Sequence, residues 1–256
     1  MEVLPSTFRR AAGLASVPGV NATQVLVRHG EWQRRTEVGE GESWLGAAER
    51  LAREAGLPGA PVPGDLGARE KVFVIDLVNR VALRPMVAYD LTFLKRWLEA
   101  DHVRRWFPHE DLSREALEAT YLPRIRGEEA TRMWVVEVNG RSVGFVQDYL
   151  VGDHPSYALV TPDPKAVGVD FALGERAWLG RGFGKRMLWA WVTGPLRTCY
   201  PGSTRAFSAP DHRNTASLRT LEAVGFVQGA WFDQHRPDGS VDTLVGCTLD
   251  VRRVVG

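Results

Sequence analysis

The chain has 256 residues, 25% of them charged and 44% hydrophobic, with a formal net charge of +1. Such values belong to ordinary soluble globular proteins and argue against a nucleic-acid binder that relies on bulk electrostatics, though they allow a local basic patch. Cys199 and Cys247, the two cysteines in a chain of this length, make neither a disulfide framework nor a zinc cluster; they read as small core residues of a reduced compartment, and no metal is expected.

The N-terminus, MEVLPSTFRRAAGLASVPG, lacks the apolar core and cleavage pattern of a secretory signal. No run approaches the roughly 20 apolar residues that span a bilayer, so the cytoplasm is the expected compartment and no membrane partner is expected. TQVLVRH predicts a strand. In ESWLGAAERLAREAG, residues Trp44, Leu45, Ala48, Leu51 and Ala55 fall near one helical face and Gly56 supplies a stop. GLPGAPVPGDLGARE is a Pro/Gly linker signal. The expected division is an N-terminal appendage over residues 1–70 and a main domain over 71–256.

From Lys71 the pattern is mixed α and β. VFVIDLVNRVALRPM is strand-like, and DLTFLKRWLEADHVRRWF is helical by period. SREALEATYLPRI is a second helix, with Ser113 as its N-cap and Glu115 and Glu118 near its start. TRMWVVEVNGRSVGFVQDYLV predicts two strands joined by the hairpin dipeptide Asn139-Gly140. PKAVGVDFAL and STRAFSAP are further strands. RNTASLRTLEAVGF is a helix starting near Asn214 and ending at Gly225. VQGAWFD and VDTLVGCTLDV close the chain as strands around Pro237-Asp238-Gly239.

Chemistry concentrates in Gly168–Met187, GVDFALGERAWLGRGFGKRM. A strand carrying one acid, Asp170, ends in a Gly- and Arg-rich loop that runs straight into an amphipathic helix. First-turn N–H groups have no partner within a helix, and the helix dipole adds to their pull on an anion such as a phosphate. Gly180, Gly182 and Gly184 let backbone approach that anion closely, and Arg181 and Lys185 add positive charge. Asp170 lies between Val169 and Phe171, whose side chains point to the opposite face, so the carboxylate can face a cleft. A mid-strand acid in an apolar segment is costly unless paired, and a salt bridge to an Arg is its purely structural alternative.

The glycine loop resembles the acetyl-CoA pyrophosphate loop of the GCN5-related N-acetyltransferases. The element order, the loop and the run NTASLRTLEAVGF extend that resemblance over residues 72–252. It implies an α+β fold with a mixed, mostly antiparallel central sheet flanked by helices. WLEADHVRRWF, TYLPRI, VNGRSVGFVQDYL, TPDPKAVGVDFAL and LGRGFGK are most similar to the aminoglycoside 6'-N-acetyltransferases. The resemblance implies acetyl-CoA as co-substrate, held by Leu179, Gly180, Arg181, Gly182, Phe183, Gly184 and Lys185, with Asn214 beside the CoA arm and Phe171 and Leu173 offering strand backbone. It implies Asp170 as the residue that holds the acceptor amine and takes or relays its proton. Gln147, Tyr149, Trp106 and Phe107 match positions that line the acceptor pocket.

Two residues depart from that pattern. Leu221 stands where the resembled enzymes carry a Tyr taken as general acid, and Ala209 stands where a second acid binds the aminoglycoside. The expected function is acetylation of a primary amine of a small polar acceptor, first among them an aminoglycoside 6'-amine, by direct transfer without an acyl-enzyme. Acylation of an N-hydroxylysine-type siderophore precursor, peptide N-terminal acetylation and a non-catalytic acyl-CoA sensor are the alternatives. The siderophore group tends to place a His where this chain has Asp170. Homodimer formation is left open.

Overall fold

The computed structural model describes residues 24–107, 111–154, 163–236 and 239–256. The N-terminus that was read for a signal, and Pro237 and Asp238 of the last turn, lie outside them.

A four-stranded sheet comes first. Strands β1 (Gln24–His29) and β2 (Trp32–Glu37) form a hairpin about Gly30, whose φ is +57°. Helix α1 (Trp44–Glu54) follows, capped by Ser43, whose hydroxyl accepts from the Gly46 N–H. Strands β3 (Pro61–Asp65) and β4 (Lys71–Ile75) complete the sheet in the order β2-β1-β4-β3, with β1 and β4 parallel. The Pro/Gly stretch therefore contains a strand, and β4, past the boundary expected at residue 70, belongs to the N-terminal sheet.

The strand-like run from Val72 is broken after Ile75. Asp76 Oδ1 accepts from the backbone N–H groups of Val78 and Asn79, an Asx turn, and the chain re-enters as β5 (Val81–Pro85) in a different sheet. The next helical run divides at Ala100, where ψ is 126°, into α2 (Leu91–Glu99) and α3 (Asp101–Arg104). Helix α4 (Arg114–Arg126) starts on Ser113 and ends on left-handed Gly127. Strands β6 (Arg132–Val138) and β7 (Arg141–Leu150) form the expected hairpin, with Asn139 and Gly140 both at positive φ.

There follow β8 (Val167–Leu173), α5 (Phe183–Thr193), α6 (Pro195–Cys199), β9 (Arg205–Ser208), α7 (Thr215–Val224), β10 (Val227–His235), β11 (Val241–Asp250) and α8 (Val251–Val255). The seven-stranded sheet has the order β10-β11-β9-β8-β7-β6-β5, antiparallel throughout except for β8 and β9. This is the expected α+β architecture.

Helices α2, α3 and α4 cover one face, over a core of Leu94, Trp97, Leu117, Met133 and Phe145. The other face packs on α5 and α7. There the core is continuous with the N-terminal sheet: Phe73 of β4 meets Trp189 of α5 edge-on at 5.7 Å. Asp148, on this second face, is fully buried and accepts from Trp134 Nε1 (2.6 Å), Trp191 Nε1 (2.8 Å) and the Tyr200 hydroxyl (2.6 Å). Among the described residues no helix is long and apolar enough to cross a membrane.

Candidate active site

Alternation along β7 puts Phe145, Gln147 and Tyr149 on the face opposite Asp148. The register sets Gln147 directly across from Asp170 and Tyr149 across from Gly168. Gln147 Nε2 donates to Asp170 Oδ2 at 2.9 Å, and the Tyr149 hydroxyl also hydrogen-bonds the carboxylate. Gln147 Oε1 accepts in turn from Arg124 Nη1 at 3.4 Å. Gly168 makes room for the Tyr149 ring, since a Cβ there would fall 2.3 Å from a ring carbon. Burial pushes the Asp170 carboxyl above the ordinary carboxylate range; the bonds from Gln147 and Tyr149 and the nearby His154 and Arg124 oppose that rise.

A cavity of about 370 Å³ opens over Asp170. Trp106 and Phe107, just past α3, form one wall, and Phe107 packs on Phe145 with ring centroids 5.8 Å apart. Phe171, Ala209 and Asn214 contribute elsewhere on the lining. Among the described residues Gln147 and Tyr149 stand behind Asp170 and do not line the cavity. Asn214 Oδ1 is already used, accepting from the Ser217 N–H at 3.1 Å to cap α7.

Charged side chains also reach this cavity. Asp211 is gripped by Arg213, through Nε at 2.8 Å and Nη2 at 2.6 Å. Asp242 on β11 takes Arg236 Nε at 2.8 Å and lies 3.5 Å from Arg213 Nη2. Arg105 lines the same space, with its guanidinium over the Trp106 ring at 5.1 Å.

The glycine loop lies where β8 feeds α5. Gly180 and Gly182 have φ of +68° and +79°, conformations that favour glycine, and Gly182 is the N-cap of α5 with no side chain capping the helix. Leu179, Gly180, Arg181 and Gly182 are exposed, and a Cβ on Gly180 would meet nothing within 4 Å. Uncapped first-turn amides beside open space fit a phosphate. Three predicted side chains are engaged elsewhere. The Phe183 ring is buried against Trp178, centroids 4.8 Å apart. Arg181 lies over Trp178 and donates to the Ala177 carbonyl. Lys185 is half-buried and its ammonium donates to the Gly64 carbonyl of β3, so the lysine expected to draw a phosphate is tied to the N-terminal sheet. Arg186, one residue on, pairs with Asp76. Gly184 fits against Thr220 of α7.

Strand β8 pairs with β7 as far as Leu173, but with β9 only at Val167 and Gly168. Beyond that point the two parallel strands part, which frees one backbone edge around Phe171 beside the cavity. Leu173 has its carbonyl bonded by His102 Nε2 at 2.9 Å. Leu221 of α7 is fully buried in the core, and burial pushes the Cys247 thiol up to about 12.

A parted parallel strand pair, with an uncapped glycine-rich helix start after the first strand, meets its family in residues 87–234, which match the model for the acetyltransferase (GNAT) domain. The chain belongs to the GNAT acetyltransferases. Aminoglycoside N(6')-acetyltransferase type 1 of Klebsiella pneumoniae is 28% identical over 165 residues, 63% of this chain and 81% of that protein, and its Serratia marcescens counterpart matches equally. The crystal structure of aminoglycoside acetyltransferase AAC(6')-Ib in complex with coenzyme A superposes with a TM-score of 0.57 at 26% identity, covering 67% of this chain and 95% of that one. The same holds for its complex with coenzyme A and kanamycin. As a GNAT enzyme the chain is an N-acetyltransferase.

Sequence reasoning missed the partners of Asp170 as partners, because cross-strand register is not written locally. It also missed Arg105, Arg213 and Arg236. The signal for Arg213 was present in DHRN, where an acid two residues before an Arg opens a helix.

Proposed function

We propose that this GNAT enzyme acetylates a primary amine of a small polar acceptor held at Asp170, with acetyl-CoA bound along the parted edge of β8 and its pyrophosphate on the first-turn amides of α5. The carboxylate at the floor of a cavity that opens beside that parted edge carries the reading. Acetyl-CoA supplies the acetyl group as a thioester. Gly182, Phe183 and Gly184 hold it through backbone rather than side chains, and the ring of Phe183 keeps the helix start in place.

Asp170 attracts the ammonium form of the acceptor, which is not a nucleophile, and then accepts or relays the proton that must leave before attack. Its raised pKa brings it closer to that task. Gln147 and Tyr149 fix its orientation, and Trp106 and Phe107 keep water from one side. The freed backbone around Phe171 is placed to donate to a carbonyl oxygen that gains charge. The ammonium group loses two protons in becoming an amide, one to solvent by way of Asp170 and one to balance the departing thiolate, so the buried Leu221 need supply none. No side chain forms an acyl bond.

Within this class the names of the relatives bring forward aminoglycosides and their 6'-amine. Ala209 lines the cavity where the resembled enzymes carry an acid, which removes one anchor for a second ammonium. Thiol release from acetyl-CoA, followed across amines that include kanamycin and ribostamycin, tests the proposal. Release with at least one primary amine is expected. Binding of CoA by calorimetry with no release from any amine would overturn it and favour an acyl-CoA sensor, the reading that Leu221 keeps alive.

A further inference from the structure

We infer that the acceptor of this enzyme carries an anionic group, a carboxylate or a phosphate, in addition to its amine, and that Arg105 receives that group. The inference rests on Asp170 as the amine's partner and narrows the acceptor.

Among the described residues the cavity wall holds three carboxylates, Asp170, Asp211 and Asp242, and three guanidinium groups, Arg105, Arg213 and Arg236. Two of the carboxylates are already committed. Asp211 is held through both oxygens by Arg213, and Asp242 is shared between Arg236 and Arg213. A cation entering the cavity would have to break these charge-assisted bonds to use either acid. Asp170 is different: its direct hydrogen-bond partners Gln147 and Tyr149 are neutral, the Arg124 guanidinium reaches it only through Gln147, and it makes no ion pair among the described residues. Arg105 is its counterpart among the cations, with no ion pair among the described residues and its plane laid over Trp106. Among the described residues the wall thus offers one acid and one base that make no ion pair.

A polycation matches only half of that pattern. Once its first ammonium sits on Asp170, a second finds Ala209 and a guanidinium where it needs a carboxylate, and like charges brought together oppose binding. An amine that also bears an anion satisfies both groups. The guanidinium is always charged and presents a planar fork suited to carboxylate and phosphate alike.

The experiment measures thiol release from acetyl-CoA with matched amines: short ω-amino carboxylates against their amides, ω-aminoalkyl phosphates against their alcohols, and kanamycin. One anionic series is expected to exceed its neutral partner in kcat/KM by about tenfold or more, as for one charge-assisted hydrogen bond. The series that does so identifies the anion. In Arg105→Ala that ratio should fall to near one, and in Arg105→Glu it should invert. Equal use of charged and neutral partners, a preference for kanamycin over every anionic amine, or a KM for acetyl-CoA that rises in Arg105→Ala while the ratio stands would overturn the inference and leave the proposed function intact. No release from any amine would overturn both.

Discussion

Replacing Asp170 by Asn separates the anchoring of the amine from everything else in the site. Asp170 accepts from Gln147 Nε2 at 2.9 Å and from Tyr149, and its charge is what an ammonium would meet. The amide keeps the shape and loses the charge. A hydrogen bond to a charged group contributes about 1.5–3 kcal/mol, which is roughly 10- to 150-fold in kcat/KM. If the carboxylate also moves the proton, a further factor of about 10² or more is lost. Thiol release at saturating acetyl-CoA reads both.

The pH profile tells them from a structural effect. Burial raises this carboxyl, so the acid limb of kcat/KM should sit above the ordinary Asp value of about 3.9, and it should vanish in Asp170→Asn. Stability should move the other way. A carboxyl whose folded pKa is raised favours the fold when protonated, and that contribution is lost as pH rises through the folded value. At neutral pH the buried charge therefore costs stability, and Asp170→Asn should melt at or above the wild-type Tm. A folded variant with kcat/KM within about threefold of wild type and an intact acid limb would refute the role given to Asp170.

Two other sites give clean tests. Gly182→Asp puts a carboxylate at the uncapped start of α5 at φ +79°, and acetyl-CoA affinity by calorimetry should fall at least about tenfold beyond the fall in Gly182→Ala, which carries the backbone strain without the charge; equal losses would detach the phosphates from this loop. Asp148→Ala strips the acceptor from Trp134, Trp191 and Tyr200, and at about 1–3 kcal/mol for each of the two buried donors, Trp191 and Tyr200, it should cost at least about 2 kcal/mol by urea unfolding; a smaller loss would mean that water reaches the pocket.

Features written in short segments were legible before the fold was known. Asn139-Gly140 specifies its own turn, Ser113 caps its own helix, and Gly225 ends one in the left-handed region. Asp170 stood out because an acid amid apolar neighbours needs an explanation. Whatever depends on pieces far apart did not show. Strand β2, WQRRTE, is too polar to announce itself and exists because it pairs with β1. Strands β4 and β5 look like one strand because the residues between them, Leu77 and Val78, are apolar though exposed; the split comes from Asp76, which turns the chain and is held by Arg186 from α5. Lys185 reads as a phosphate ligand in a Gly-rich loop, yet its ammonium ends on Gly64. The pairing of Asp211 with Arg213 is written in DHRN, but the reach of Arg213 to Asp242, which joins a helix start to a hairpin beside the cavity, has no local signature.

The order of strands in the large sheet has a practical consequence for anyone who wants a minimal active fragment. The stretch that carries the family signature stops at residue 234, but β11 begins at Val241 and lies between β10 and β9. A cut at that limit would pull out an inner stave, leaving β10 detached and β9 open along one side. At the other limit the cut discards β5, and with it the N-terminal sheet that grips α5 through Gly64 and Asp76. Val254 and Val255 close against the same core as Trp44, so the last helix packs on the first. The stretch matched by the family and the stretch that shares one core are different lengths of the same chain.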